Sequence, residues 1–159
     1  MKRRGVLVIA VLEIGGGFAG LVLASQAAMQ SLSLPAAVLM FSLAGLPMLL
    51  SLRAGQLLWK GVPRGRQLSI LLQLCQVPIV SLGTYRYEFF VGGRLALAWI
   101  EVDVFPRVDL GARLSVQMAG ADLPTVLGVN VLALWAAWYL WRLAPANIEP
   151  VLTREIGDA

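Results

Sequence analysis

Four long apolar stretches limit what this chain can fold into. A membrane-spanning helix needs about 20 predominantly apolar residues, and the segments 5–28, 34–52, 68–85 and 124–143 meet or approach that length. Hydrophobic residues make up 58% of the chain and charged residues only 14%. A soluble domain is usually about 45–50% apolar and about 25% charged. The sequence therefore predicts an integral membrane protein and excludes a disordered chain.

Lipid offers the backbone no hydrogen-bond partner, so each of the four segments is expected to be helical. The predicted fold class is an all-α bundle of four transmembrane helices, a single membrane domain over 1–159, with a small extracytoplasmic β-hairpin between helices 3 and 4. A cleaved signal peptide is the alternative for 5–28, because basic residues precede it. The length of this segment and Glu13 inside it favour a retained span. The polar tail 145–159 is expected to lie in the cytoplasm.

Positive charge is distributed unevenly between the predicted loops. Cytoplasmic loops of membrane proteins carry an excess of Lys and Arg, and most of these residues lie before the first span, after the second and after the fourth. The segment 86–123 instead mixes arginines with acidic residues. We therefore expect both termini in the cytoplasm and 86–123 outside. The abundance of Ala, Gly and Arg indicates a bacterial chain, so the expected location is the cytoplasmic (inner) membrane, crossed several times.

Alternating apolar residues predict a β-hairpin at about 94–118. Folding the segment at 105–109 would place apolar residues of both strands on one face and set Glu101 opposite Arg113. An isolated hairpin is marginally stable in water, so its apolar face is expected to pack on another surface. The residues assigned to this external interaction surface are Ala98, Ile100, Val102, Leu114 and Val116.

Glu13 lies near the middle of the first predicted span, where a carboxyl group is costly and normally faces the interior of a bundle. At 1.5 Å of rise per residue, Gln73 and Gln76 fall at a similar depth, with Asn130 about one or two turns away. The sequence thus predicts an intramembrane polar cluster of these four residues. Two hypotheses stay open: an acid that holds helices together, or a site that binds protons or cations.

Small residues recur every four positions along the first predicted helix. Such a strip lets two backbones approach closely where lipid provides no hydrophobic drive. The expected neighbour is another helix, either of the same chain or of a second copy. The residues assigned to this helix-packing strip are Gly16, Gly20, Ala24 and Ala28.

The chain has no histidine and a single cysteine, Cys75. A Ser-His-Asp triad is therefore absent, and so are the histidine-based zinc and haem sites. We expect no enzymatic activity, no catalytic residues, no metal, no cofactor and no nucleic-acid partner. The predicted function is that of a non-catalytic accessory, scaffold or immunity-type subunit in the lipid bilayer, which binds another membrane or envelope protein or a second copy of itself. The alternative is a small proton-coupled transporter that uses Glu13.

Overall fold

Helices and strands alternate in blocks along the residues that the computed structural model describes, which are 2–30, 33–100, 103–117 and 123–143. The helices are α1 (Lys2–Met29), α2 (Leu34–Trp59), α3 (Pro63–Gln76) and α4 (Val131–Arg142). The strands are β1 (Pro78–Gly83), β2 (Tyr85–Ile100), β3 (Asp103–Gln117) and β4 (Leu123–Asn130). The chain thus begins with a helical hairpin and continues as a mixed helix and sheet unit.

The predicted bundle of four transmembrane helices is wrong, and with it the expectation of four membrane crossings. In the described part of the chain, only α1 and α2 are long and apolar enough to cross a bilayer; both lie near the N-terminus, where a signal sequence has the same character. Helices α3 and α4 contain 14 and 12 residues, fewer than the 20 or so that a span requires. The predicted spans 68–85 and 124–143 are each part helix and part strand.

Local sequence explains why these two segments change conformation midway. Pro78 has no N–H group with which to continue the helical hydrogen bonds, and α3 ends at Gln76 with Val77 as its C-cap. The β-branched residues Ile79 and Val80 that follow favour a strand. In the second segment, Asn130 is the last residue of β4 and the N-cap of α4, where its Oδ1 accepts a hydrogen bond from the Ala133 N–H at 3.3 Å. Apolarity alone does not distinguish these strands from helices.

The four strands form one antiparallel sheet in the order β1-β4-β2-β3, rather than the isolated hairpin that was predicted. Strand β1 pairs with residues 85–88 of β2, strand β4 pairs with residues 96–100 of β2, and β1 and β4 also pair with each other. Both ends of β2 therefore reach the same pair of strands, which requires β2 to coil. The sheet has a concave face, enclosed by β1, β2 and β4, and a convex face.

Strands β2 and β3 do form the predicted antiparallel pair, but in a different register. Their ladder ends where Ile100 pairs with Asp103, so the chain reverses between these residues and not at 105–109. Pro106 lies inside β3, opposite Leu97. Because β3 is an edge strand, a residue without an N–H group is tolerated there. The predicted pair of Glu101 with Arg113 falls outside the described residues, which exclude 101–102.

Helix α1 crosses β2 with backbone against backbone. The crossing joins Gly16 and Gly92: a Cβ atom added to Gly16 would overlap the Gly92 backbone, and one added to Gly92 would lie 2.5 Å from the carbonyl oxygen of Leu12. Gly92 also has a φ of +88°, which other residues rarely adopt. The midpoint of β2 is therefore held directly on the midpoint of α1.

Apolar side chains are buried on both sides of the crossing between α1 and β2. One cluster joins the first half of α1 to α2 and α4; its buried members are Val6, Ile9, Ala10, Leu58, Ala136, Leu140 and Leu143. The other joins α2 to the hairpin through Met48, Phe89 and Val91. Leu21 of α1 packs on this second cluster, so the second half of α1 contacts both α2 and the sheet, whereas the first half packs on α2 and α4.

Basic side chains collect at the end of the molecule where α1 and α3 begin and α2 and α4 end. Arg66 at the start of α3 binds the end of α4: its Nε donates to the Leu140 carbonyl at 2.8 Å and its terminal nitrogen to the Trp141 carbonyl at 2.9 Å. These bonds satisfy two of the carbonyl groups that a helix C-terminus leaves free. We call this region the basic end; among the residues whose side chains are described, its cationic members are Arg4, Lys60, Arg64, Arg66 and Arg142.

Replacing Gly92 with Ala tests the crossing. Left-handed backbone strain and overlap with α1 together predict a loss of about 2–4 kcal/mol in unfolding free energy. The matched control is Gly111→Ala: Gly111 pairs with Gly92 and also has a positive φ, but a Cβ there meets no atom within 4 Å. Denaturant unfolding of the purified chain in mild detergent measures both. Equal losses in the two variants would contradict the crossing.

Candidate functional site

Glu13 is fully buried and joins α1 to α3. The Ser69 hydroxyl donates to its Oε2 at 2.7 Å, and the Gln73 amide donates to its Oε1 at 3.1 Å. Ser51 of α2 donates to the backbone carbonyl of the same residue at 3.3 Å. Both carboxyl oxygens thus have partners. Removal of Glu13 would leave two buried donors without an acceptor, which is costly.

The other two predicted members of the polar cluster, Gln76 and Asn130, form their hydrogen bonds with backbone groups. The Gln76 side chain accepts a hydrogen bond from the Val91 N–H at 2.8 Å, which joins α3 to β2. Asn130 caps α4, and its backbone N–H donates to the Val77 carbonyl at 2.9 Å. Both residues are buried, and in each the side-chain amide nitrogen has no partner in the described chain. Glu13 and Gln73 are therefore in direct contact, whereas Gln76 and Asn130 bind backbone groups nearby.

Sequence reasoning missed Ser69. Together with Gln73 and Gln76 it lies at spacings of four and three residues, which places all three on one face of a helix, and that face of α3 is buried. A polar stripe on a short helix was the available signal. The arrangement supports the hypothesis that Glu13 holds elements together; proton coupling stays a prediction.

Substitution of Glu13 separates these two hypotheses. Glu13→Leu leaves the Ser69 and Gln73 donors unpaired and should lower the unfolding free energy by about 2–4 kcal/mol. Glu13→Gln keeps one acceptor oxygen and should cost less. Gln67→Leu, at an exposed position of the same helix, is the control. A Glu13→Leu variant as stable as the parent chain would contradict the fastening role, and loss of proton flux in folded Glu13→Gln proteoliposomes would support transport.

The small residues of α1 face two neighbours. One is the helix α2, in line with the expected helix contact, and the other is the sheet, which was not expected. Gly16 lies on β2, and a Cβ on Gly20 would meet both Met48 of α2 and Ala112 of β3. Ala24 is buried and Ala28 is half-buried. Close approach is thus used at Gly16 and Gly20, with a strand as one of the partners.

A buried ion-pair network lies on the concave face of the sheet, and the sequence reasoning did not find it. Arg94 pairs with Glu88 on its own strand and with Asp109 directly across on β3. The side chains of Arg94 and Glu88 are only 2% and 4% exposed. Arg86 donates to Glu88 at 2.7 Å, and Arg94 also lies over the Phe90 ring at 4.5 Å. Removing one member of such a buried pair leaves an uncompensated charge.

Two carboxyl groups of this network titrate below their ordinary range. Burial by itself raises the pKa of Glu88, but hydrogen bonds from Arg86 and Arg94 and the charges of Arg94 and Arg113 outweigh it, so that the pKa falls below 4.5. Partial burial likewise raises the pKa of Asp109, and the Arg94 bond and charge, with a smaller part from Arg107, lower it below 3.8. Both groups therefore stabilise the folded sheet in their ionised form.

Acid should unfold the sheet. A carboxyl group whose pKa is lower in the folded state contributes stability that is present above about pH 4.5 and is lost as the pH falls through the folded value. We expect the stability of the parent chain to drop in this range. Glu88→Gln should be less stable at about pH 7 but lose less on acidification. The control is Asp103→Asn at an exposed position. Tryptophan fluorescence against pH measures the change, and acid-independent stability of the parent would contradict it.

The network borders a cavity of about 190 Å³ on the concave face. Its walls combine the charged side chains with apolar ones from β1, β2, β3 and β4, including Ile79, Ala96, Ala98, Ile100, Phe105 and Val126. Each positive group at this cavity already has a carboxylate partner in the described chain. Carboxylates therefore already engage the arginines of the cavity, and the rest of its wall is largely apolar.

The convex face carries a continuous apolar surface that no described residue covers. Leu97 pairs with Pro106 on one side and Val129 on the other, and Trp99 pairs with Val104 and Leu127. Partners in an antiparallel sheet point to the same face. The seven large side chains are between 41% and 73% exposed. We call this surface the apolar sheet face; it consists of Leu95, Leu97, Trp99, Val104, Pro106, Val108, Leu127 and Val129.

The predicted hairpin surface does not form one face. Ala98 and Ile100 line the concave cavity, whereas Leu114 packs with Phe89 against α2, and Val116 is exposed beside it. Val102 lies outside the described residues. The observed register differs from the predicted one by an odd number of residues, and such a shift moves the apolar residues of one strand to the opposite face of the sheet. The large apolar side chains at the odd-numbered positions of β2 were the sequence feature that could have identified the exposed face.

Within the described ranges, no three His, Cys, Asp or Glu side chains come close enough to hold a metal ion. A scan against protein-family models finds no matching family, and searches of curated proteins and of solved structures find no significant match.

Proposed function

We propose that this chain is a non-catalytic interaction protein that is anchored in a membrane by α1 and α2. Its apolar sheet face would bind another membrane or envelope protein. The observation that carries the proposal is the uncovered apolar surface on three neighbouring strands. Soluble monomers rarely leave large contiguous surfaces of this kind open unless the surfaces bind something.

Exposure of the two long helices supports insertion in lipid. Within the apolar 18-residue stretch of each helix, only 39% of α1 and 18% of α2 is buried inside the chain. The core helix of a soluble protein is mostly buried. Their free faces match the hydrocarbon of a bilayer. The basic end would lie in the cytoplasm, as cationic loops do, and a bacterial cytoplasmic membrane is the proposed location.

The edge of the sheet favours a protein as the partner on the apolar sheet face. Strand β3 is the outermost strand, so one row of its N–H and C=O groups has no strand of the described chain beside it. Hydrocarbon cannot satisfy such groups, while a protein surface provides donors and acceptors next to apolar side chains.

Charge placed at the centre of the apolar sheet face should abolish binding. In Leu97→Asp with Trp99→Asp, the buried charges would have no partner in the complex, and binding should weaken by about 100-fold or more. Leu82→Asp is the control, because Leu82 of β1 is also exposed and apolar but lies outside this face. A photo-crosslinking residue at position 99 or 82 in living cells, followed by purification in mild detergent, identifies the partner.

One companion crosslinked from position 99, retained by the Leu82 variant and lost by the double variant, is the expected result. Self-crosslinking with a matching dimer in sedimentation would assign the face to a second copy. Identical crosslinking from both positions would overturn the proposal.

A further inference from the structure

An open groove runs between α1 and the end of α2, on the outer side of the helical hairpin. It has a volume of about 410 Å³ and is lined by Val11, Ile14 and Gly15 of α1 and by Gln56, Trp59 and Lys60 at the end of α2. Lys60 is the only charged member of the lining. The groove is therefore apolar along its length and cationic at one end.

Glycines create this shape. A Cβ atom on Gly15 would meet nothing within 4 Å, so the wall of the groove is open at that position. By contrast, a Cβ on Gly55 would lie 2.8 Å from the Ala10 carbonyl oxygen, which shows that the helices touch just below. The helix contact forms the floor, and the absent side chain at Gly15 leaves the space above it.

Charge and position indicate what fits. Lys60 is exposed and has no ion-pair partner in the described chain, and it lies at the basic end. Trp59 beside it is 45% exposed, and indole rings prefer the depth of lipid headgroups. Arg53, seven residues before Lys60, lies on the same side of α2, since seven residues make about two turns. The cation lies where the phosphate of a lipid would bind, and the indole lies where headgroups meet hydrocarbon. The apolar channel then continues where an acyl chain would lie.

We infer that this groove binds an anionic phospholipid, with one acyl chain along Val11, Ile14 and Gly15 and the phosphate at Lys60. The inference rests on the proposed insertion of α1 and α2 in a membrane and adds a specific lipid class to it. A zwitterionic lipid carries the same phosphate, but its own ammonium group offsets that charge, so that Lys60 should attract it less strongly.

Native mass spectrometry of the full chain in mild detergent tests the inference, with phosphatidylglycerol and phosphatidylcholine of identical acyl chains as probes. Lys60→Gln should weaken phosphatidylglycerol binding about fivefold and change phosphatidylcholine binding much less, because one cation near an anionic lipid surface contributes about that factor. Gly15→Leu fills the channel and should weaken both lipids by at least as much. Val11→Trp fills it from an exposed position and serves if Gly15→Leu does not fold.

Matched controls are Arg142→Gln, which removes one exposed charge at the basic end but outside the groove, and Ala36→Leu, which enlarges an exposed residue at the other end of α2. Neither should change lipid binding. The inference is overturned if phosphatidylglycerol binds the groove variants as it binds the controls, or if Lys60→Gln loses both lipids equally. Alkaline extraction of cell membranes separates the two proposals: an extractable parent chain overturns the anchoring, whereas a retained chain with groove-independent lipid binding overturns only the lipid site.

Discussion

Strand β2 coils around the point where Gly92 touches Gly16 of α1, and the other elements are arranged by that contact. Because the two ends of β2 pair with β1 and β4, while β1 and β4 pair with each other, the sheet has an enclosed side and an open side. A side chain at either glycine would separate helix from strand. The absence of two Cβ atoms is thus what allows a long helix and a coiled sheet to share one core.

Polar and apolar groups separate according to this curvature. Arg94, Glu88 and Asp109 are enclosed on the concave side, where each buried charge has a partner, as the low polarity of an interior requires. The apolar sheet face is left outside, on the same strands. Glu13 performs a similar task at the helices: its two hydrogen bonds fix the polar stripe of α3 against α1. Buried polar contacts specify the inside of the fold, and apolar surface is left exposed on the sheet and on the two long helices.

Sequence reasoning located the helices α1 and α2, the Glu13 contact with Gln73 and the pairing of β2 with β3. It placed the hairpin reversal at Phe105–Asp109 because Pro106 is a common turn residue, whereas an edge strand accepts it. It did not identify the buried Arg94 ion pairs, because only the cross-strand neighbour Asp109 and the enclosing strands make the burial of this charge possible. Such contacts between distant residues have no signature in a local pattern.

By itself, the sequence determined that much of this chain avoids water, that its first two long segments are helices, and that Glu13 needs buried partners. These are properties of composition and of local spacing. The tertiary structure alone decided that Pro78 begins a strand, that the sheet closes through β4, and which side of β2 is enclosed. The physical reason is that helices satisfy their backbone hydrogen bonds locally, whereas strands depend on partners elsewhere in the chain.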